Sequence, residues 1–405
     1  RYGDAETALA YEARSVFDDI EIQAQYARIA GEIYYDGTIE EAYRRALNVI
    51  NAVQHEVPYA YWIAGLCAWR NQDYSAAARL FTGYSEGYSA TRWEKAAGHF
   101  WAARAHGKMG QASSKRSSLE KAAKYHETLY GLLARRLMGW DTKSHVQGYK
   151  PSKSDINRLL TWKAGKRGFA LYQVGEFRRA EKELMQIARK KEKALRRTLL
   201  RIAEAGNMPE LSVRLAHYRT VNDKTHDYRG LYPIPAYKPK GGFTIDRALM
   251  FGIMKKESMF NPRLNSSAGA RGLLQVYPPS SKWMVKEGMV KPHTLGDLLI
   301  PEINLAIGQR YLKYLLREHK SVKGDLVRFL IGYNAGPNRI KRWEKRARHG
   351  GDPLLYFESI PARETRAYVE RTLSYIWRYR DRMGQSLQEA DQLANGQWPK
   401  YIRMD

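Results

Sequence analysis

The chain of 405 residues carries one cysteine, Cys67. A single thiol excludes an intrachain disulfide and any metal site built from several cysteines. Cys67 lies in the apolar run Ile63-Ala64-Gly65-Leu66-Cys67-Ala68-Trp69, which predicts a small core residue rather than a nucleophile. Long apolar runs are also missing. The patch from Ala248 to Met254 is stopped by Lys255 and Lys256, well short of the roughly 20 residues a spanning helix needs, so no transmembrane segment is expected. None of the ten His residues falls into metal-ligand spacing, and there is no glycine-rich phosphate loop. No metal and no cofactor are expected. The first residue is Arg1 with no signal-peptide pattern behind it, as in a mature or trimmed chain.

Acidic residues are outnumbered, with 42 Asp and Glu against 68 Lys and Arg and a formal net charge of +26. Such a field draws anionic partners: nucleic acid, membrane headgroups or acidic wall polymers. Apolar residues make up 44% of the chain, enough for packed cores. Proline is nearly absent before Tyr218, where Ala, Leu, Arg, Glu and Tyr predict helix after helix. A weak repeat runs through this region. The stretch from Gly65 to Ala78 resembles that from Gly168 to Ala180, and Phe100 to Gly110 is a looser copy. Stacked helical hairpins have periods of about 34 to 47 residues and form curved solenoids.

The expected organisation is a helical-repeat superhelical domain over 1–150 and a helical linker domain over 151–230. A Pro/Gly-rich boundary follows over 231–242, with three prolines and two glycines, and an α-rich domain over 243–405. The fold class is all-α. Each proline of the boundary disfavours helix at the residue before it.

Helical texture resumes at Thr244, a candidate N-cap with Asp246 in the first turn. One helix is predicted over 244–258. Ile245, Ala248, Leu249, Gly252 and Ile253 share an apolar side that Met250 and Met254 extend. Glu257 falls between these tracks, one turn beyond Ile253. Partial burial there raises the cost of the charged form, which suits a general acid.

Four blocks follow in order: Glu257-Ser258-Met259-Phe260-Asn261-Pro262, then Ser266 to Pro278 with Gly269, Gly272 and Gln275, then Gly332-Tyr333-Asn334-Ala335-Gly336-Pro337, then Glu358 to Val369. Over roughly Thr244 to Arg380 they resemble the soluble lytic transglycosylases of the bacterial cell envelope. The resemblance implies a lysozyme-like catalytic domain behind a helical superstructure. It implies that Glu257 is the single acid and base, protonating the glycosidic oxygen between N-acetylmuramic acid and N-acetylglucosamine. The same carboxylate then takes a proton from the C6 hydroxyl, which closes on C1 to give a 1,6-anhydro product without water. A tethered nucleophile has a high effective concentration. This accounts for a missing partner, since ordinary glycosidases use two carboxylates and no motif here offers a clear second.

The same resemblance implies substrate contacts at Ser258, Ser266, Gln275, Tyr333 and Asn334, with Glu358 on an opposite wall. Leu274 and Tyr277 depart from the family, which usually has Met at the first and an apolar residue at the second. Leu for Met conserves volume. Tyr277 adds a ring and a hydroxyl where a peptide stem could be touched. Peptidoglycan glycan strands are the implied partner, cell-wall synthases are further candidates, and the periplasm follows from the substrate. The basic run Arg339, Lys341, Arg342, Lys345, Arg346 and Arg348 around Trp343 suits an anionic polymer and is also of the type found in nucleic-acid footprints. No nucleic acid is expected. Two other readings are a hydrolytic muramidase of the same fold and a helical-repeat binding or scaffold protein.

Overall fold

The computed structural model describes residues 17–142, 151–190, 193–222 and 227–405. The expected border at 150/151 adjoins 143–150, which lie outside the described residues. The structure is all-α: among the described residues there are helices and only isolated β-bridges. None of these helices is long and apolar enough to cross a membrane.

Residues are grouped into two compact units, one of 1–142, 315–374 and 387–402, the other of 143–314, 375–386 and 403–405. The expected module 243–405 therefore contributes residues to both. In the first unit, successive helices from Asp19–Asp36 to Leu129–Leu137 pack each on the next. In the second, helices between Lys153–Leu160 and Tyr228–Leu231 do the same.

A recurring device makes these hairpins. The first helix ends in one residue of left-handed backbone, at Gly37, Gln72, Gly110, Gly175 and Asn207. The next position opens the following helix, with Thr38, Asp73, Gln111 and Glu176 as its N-cap residues. A left-handed residue reverses the chain tightly after a helix, and Gly or Asn tolerates it best. In the two copies matched from sequence, a Cβ on Gly65 would meet Phe81 at 2.7 Å and one on Gly168 would meet Leu184 at 2.8 Å. Phe81 and Leu184 stand equally far along the chain from their glycines. Registered on Gly110, the third copy places Ala103 at the glycine position, so it is offset from the expected start at Phe100.

The core of the first unit is aromatic. Trp62, Trp69, Phe81 and Trp101 meet with ring centroids 5.1 to 6.1 Å apart. Arg104 lies over Trp69 and Trp101 at 4.7 and 4.3 Å and pairs with Asp352 at 2.6 Å, so its charge is stacked as well as neutralised. Cys67 is fully buried, and burial pushes its thiol up to about 12. It is a core residue, as expected.

The helix that carries Glu257 runs Arg247–Glu257 and starts later than expected. Asp246, not Thr244, is its N-cap, accepting from Leu249 N at 3.0 Å, while Thr244 N donates to Gln309 Oε1 at 3.0 Å. Asp246 wins because its second carboxylate oxygen also accepts from Met404 N at 3.2 Å, and the Arg380 guanidinium lies 4.0 Å away. Every residue from Ala248 to Lys255 is buried, so the apolar side read from sequence is only part of a helix covered all round. Gly252 is required by close packing, since a Cβ there would lie 2.9 Å from Ile376 N and 3.0 Å from its Cα. Gly252→Ala is expected to cost about 1–3 kcal/mol by overpacking, read as a lower denaturation midpoint. An unchanged midpoint would contradict this packing.

Candidate active site

Glu257 is the last residue of its helix and is half-buried. Behind it the chain turns sharply. Ser258 N donates to Met254 O at 3.0 Å, and Met259 and Phe260 both adopt left-handed backbone, with φ of 50° and 68°. Two such non-glycine residues in a row cost on the order of 1–3 kcal/mol each and persist only where surroundings enforce them. Phe260 is fully buried, with its ring 6.5 Å from that of Tyr379, whereas Met259 is exposed. Asn261 closes the turn, its N donating to Ser258 O at 3.0 Å and its Oδ1 accepting from Arg263 N at 3.0 Å.

Ser258 was expected against substrate. Its side chain is buried, and the hydroxyl lies 2.8 Å from Leu273 O and 3.1 Å from Met254 O. It ties the end of the helix to the loop of the second block. That loop is built from short internal bonds. Ser266 N donates to Ala270 O, and Ser266 Oγ accepts from Ala270 N, both at 2.9 Å. Arg271 and Val276 exchange backbone bonds at 3.1 and 2.9 Å. Gln275, with φ of 45°, turns its amide back on Leu264 O at 3.0 Å and Gly272 O at 2.9 Å. Ser266 and Gln275 thus shape the loop and are both half-buried. Tyr277 is 48% exposed at the loop's end, open to whatever binds there.

One residue organising this loop was missed from sequence. Asn304 is fully buried; its Nδ2 donates to Arg271 O at 2.8 Å and Leu298 O at 2.7 Å, and its Oδ1 accepts from Leu274 N at 2.9 Å. Gly272, at φ of 74°, lies under it: a Cβ would come within 2.4 Å of Asn304 Nδ2 and 2.3 Å of Leu298 O. Leu274, the substituted family position, packs against Gly308, where a Cβ would approach it to 2.3 Å. Lys255 is a second surprise. It is buried two residues before Glu257, donates to Leu231 O at 2.6 Å, and lies 4.9 and 5.1 Å from the Tyr232 and Tyr375 rings. Burial lowers its pKa to about 7.

Tyr333, Asn334 and Glu358 belong to the first unit. Tyr333 is half-buried, its ring 6.3 Å from Phe329, on the last turn of the helix Leu326–Ala335. Asn334 Oδ1 accepts from Thr365 Oγ1 at 2.7 Å, which joins the third block to the fourth. Glu358 is buried and accepts a hydrogen bond from the Tyr130 hydroxyl, which in turn accepts from Trp101 Nε1 at 3.0 Å. It also lines a cavity of about 280 Å³ with Trp62, Tyr84 and Trp93. In the basic run, Arg339, Lys341, Arg342, Lys345, Arg346 and Arg348 are exposed, whereas Trp343 is buried and offers no stacking surface. Among the described residues, no group of three or more His, Cys, Asp or Glu side chains is placed to hold a metal ion.

Hairpin repeats and the helices that follow them define a class of all-α protein, and comparison with known proteins shows what it is similar to. Residues 235–355 match the family described as Transglycosylase SLT domain. The first three of the four sequence blocks that resemble soluble lytic transglycosylases lie within that match, and the fourth lies beyond it. The soluble lytic murein transglycosylase of Salmonella typhimurium is 35% identical over 145 residues, 36% of this chain and 22% of that protein. The lytic transglycosylase Slt of Pseudomonas aeruginosa, solved as an inactive mutant, shares the fold over 99% of this chain and 63% of its own, with a TM-score of 0.74 and 20% identity. Escherichia coli Slt70, a 70 kDa soluble lytic transglycosylase, covers 98% and 68%, with a TM-score of 0.67 and 21% identity. The alignment thus spans about a fifth of the curated relative and less than two thirds of the Pseudomonas chain.

Burial raises the Glu358 carboxyl from 4.5 to about 7. A carboxyl that holds its proton more tightly when folded stabilises at low pH, and this contribution is lost as pH rises from about 4.5 through 7. Glu358→Gln keeps the shape without the titration. Its thermal midpoint should therefore gain on the wild type between about pH 5 and 8, and parallel profiles would rule this out.

Proposed function

We propose that the chain is a lytic transglycosylase acting on peptidoglycan glycan strands, with Glu257 as its only acid and base. The observation that carries the reading is the placement of Glu257, half-buried at the end of a fully packed helix and followed by a turn held in left-handed backbone. The SLT match spans this residue and the next two blocks, and the matched relatives are named as lytic murein transglycosylases. In the proposed reaction the protonated carboxyl gives its hydrogen to the glycosidic oxygen of the N-acetylmuramic acid to N-acetylglucosamine β-1,4 bond. The resulting carboxylate recovers a hydrogen from the C6 hydroxyl of the same muramoyl unit as its oxygen bonds to C1. The ring closes as a 1,6-anhydro sugar, no water is consumed, and the enzyme regains its starting protonation state.

Ser258 acts here as a positioning residue, fixing the helix end against the loop that Ser266, Gln275 and Asn304 shape. Tyr277, Tyr333 and Asn334 are the proposed substrate contacts, with Glu358 contributing from the cavity it lines. The exposed basic face of the helix Asn338–Ala347 would attract the acidic polymer. We place the chain in the periplasm, where this substrate lies, with cell-wall synthases on the same strands as the partner class. The module 243–405 is the proposed catalytic region, and the SLT match begins inside the Pro/Gly-rich segment before it.

Glu257→Gln should lower release of soluble muropeptides from purified sacculi by about 10²–10⁴-fold, the range lost with a general acid. Binding to sacculi and the denaturation midpoint should stay near wild type. Near-normal release by the folded variant would remove Glu257 from the chemistry.

A further inference from the structure

Close behind the Glu257 turn lies a cavity of about 150 Å³ that the proposed reaction does not use. One wall is Phe260 and Asn261 of the strained turn, another is Tyr237 of the Pro-rich segment, and the rest comes from two hairpin turns bearing Tyr172, Phe177, Glu181 and Glu210. All of these belong to one compact unit. The space suffices for a group about the size of benzene. Four of the lining residues, Tyr172, Phe177, Tyr237 and Phe260, are aromatic. The rings of Tyr172 and Phe177 meet edge to face at 5.3 Å, and Phe177 is 60% exposed at the mouth.

Three carboxylates line the cavity, and Glu176 among them is paired with Arg179 at 3.9 Å. Glu181 is buried and already paired with Arg214 at 2.8 Å. Glu210 is half-buried and takes part in no hydrogen bond or ion pair among the described residues. Burial and the neighbouring Glu181 raise its pKa to about 7 against the lowering effect of Arg214 and Arg178, so a cation brought beside it would displace a proton from the protonated fraction. Arg178 and Arg263 also border the cavity, but Glu210 is not ion-paired with either. In a chain of net charge +26, an aromatic cavity with a spare carboxylate is selective for cations carried on an apolar arm.

We propose that this cavity binds a protonated primary amine, its ammonium group at Glu210 and its aliphatic arm against Tyr172, Phe177 and Tyr237. Because Phe260 forms one wall, an occupant would rest directly on the turn that fixes Glu257. Amine binding at this cavity does not depend on glycan cleavage, and the test reads binding alone. The full chain is titrated with cadaverine (1,5-diaminopentane) and with 1-pentanol, by calorimetry and by ligand-observed NMR. Cadaverine should bind saturably and pentanol should not. Glu210→Gln should weaken cadaverine at least about tenfold, and Phe177→Ala, which alters an exposed ring, should weaken it severalfold even if the first variant folds poorly. Glu257→Gln should bind it like the wild type.

Two sources of amine are separated by a muramoyl tripeptide with a free side-chain amine. Tighter binding than cadaverine assigns the site to a peptide stem, and weaker binding assigns it to a free diamine. Loss of the tripeptide on N-acetylation supports the amine in either case. No saturable amine binding, an undiminished affinity in folded Glu210→Gln, or equal binding of the acetylated tripeptide would overturn the proposal.

Discussion

The hydrogen bond from Ser258 Oγ to Leu273 O, 2.8 Å long and buried, is the contact on which the candidate site depends. It joins the end of the Arg247–Glu257 helix to a loop whose other bonds are local except for those made by Asn304. With it in place, Met259 and Phe260 are held in left-handed backbone and the Glu257 carboxyl stays at the helix terminus, half out of solvent. A carboxyl used as both acid and base must be oriented to well within an ångström or two. Here the orientation comes from a packed helix on one side and a strapped turn on the other, with Asn304 fastening the loop from a distant stretch of chain.

Much of this was legible in the residues. The apolar track through Ile245, Ala248, Leu249 and Ile253 located the helix, and the interruption at Asn261-Pro262 located its end. The hairpins were visible wherever small residues recurred, at Gly65 and Gly168. The repeat was fainter elsewhere because its real marker is a backbone conformation, which Gly37, Gln72, Gly110, Gly175 and Asn207 reach with different side chains. Thr244 and Asp246 are both good caps by type, and only the distant Met404 and Arg380 decide between them. Asn304 lies in an unremarked helix, and nothing local says that its amide reaches back to Arg271 and Leu274. Lys255 reads in sequence as the end of an apolar run because a charge ordinarily implies exposure; its ammonium is instead buried beside the Tyr232 and Tyr375 rings.

The polar residues of the motif divide by what they touch. Ser258, Ser266 and Gln275 spend their hydrogen-bonding capacity on neighbouring backbone, so they set the shape of loops, whereas Asn334 uses its Oδ1 on Thr365. Tyr277 presents a largely open surface. Glu358 is buried in an aromatic interior and is held close to neutrality. Sequence resemblance marks all of these alike, because a residue that holds a loop and a residue that holds a ligand both sit inside the same short blocks.

The central claim is that a single carboxyl cuts the glycan and closes the sugar on itself. Mass spectrometry of muropeptides released from purified sacculi in ¹⁸O-labelled water tests this most directly. The account predicts anhydromuramoyl ends, lighter by one water than hydrolysis products and free of label. Reducing ends carrying the heavy oxygen would show that water is the nucleophile and would contradict it.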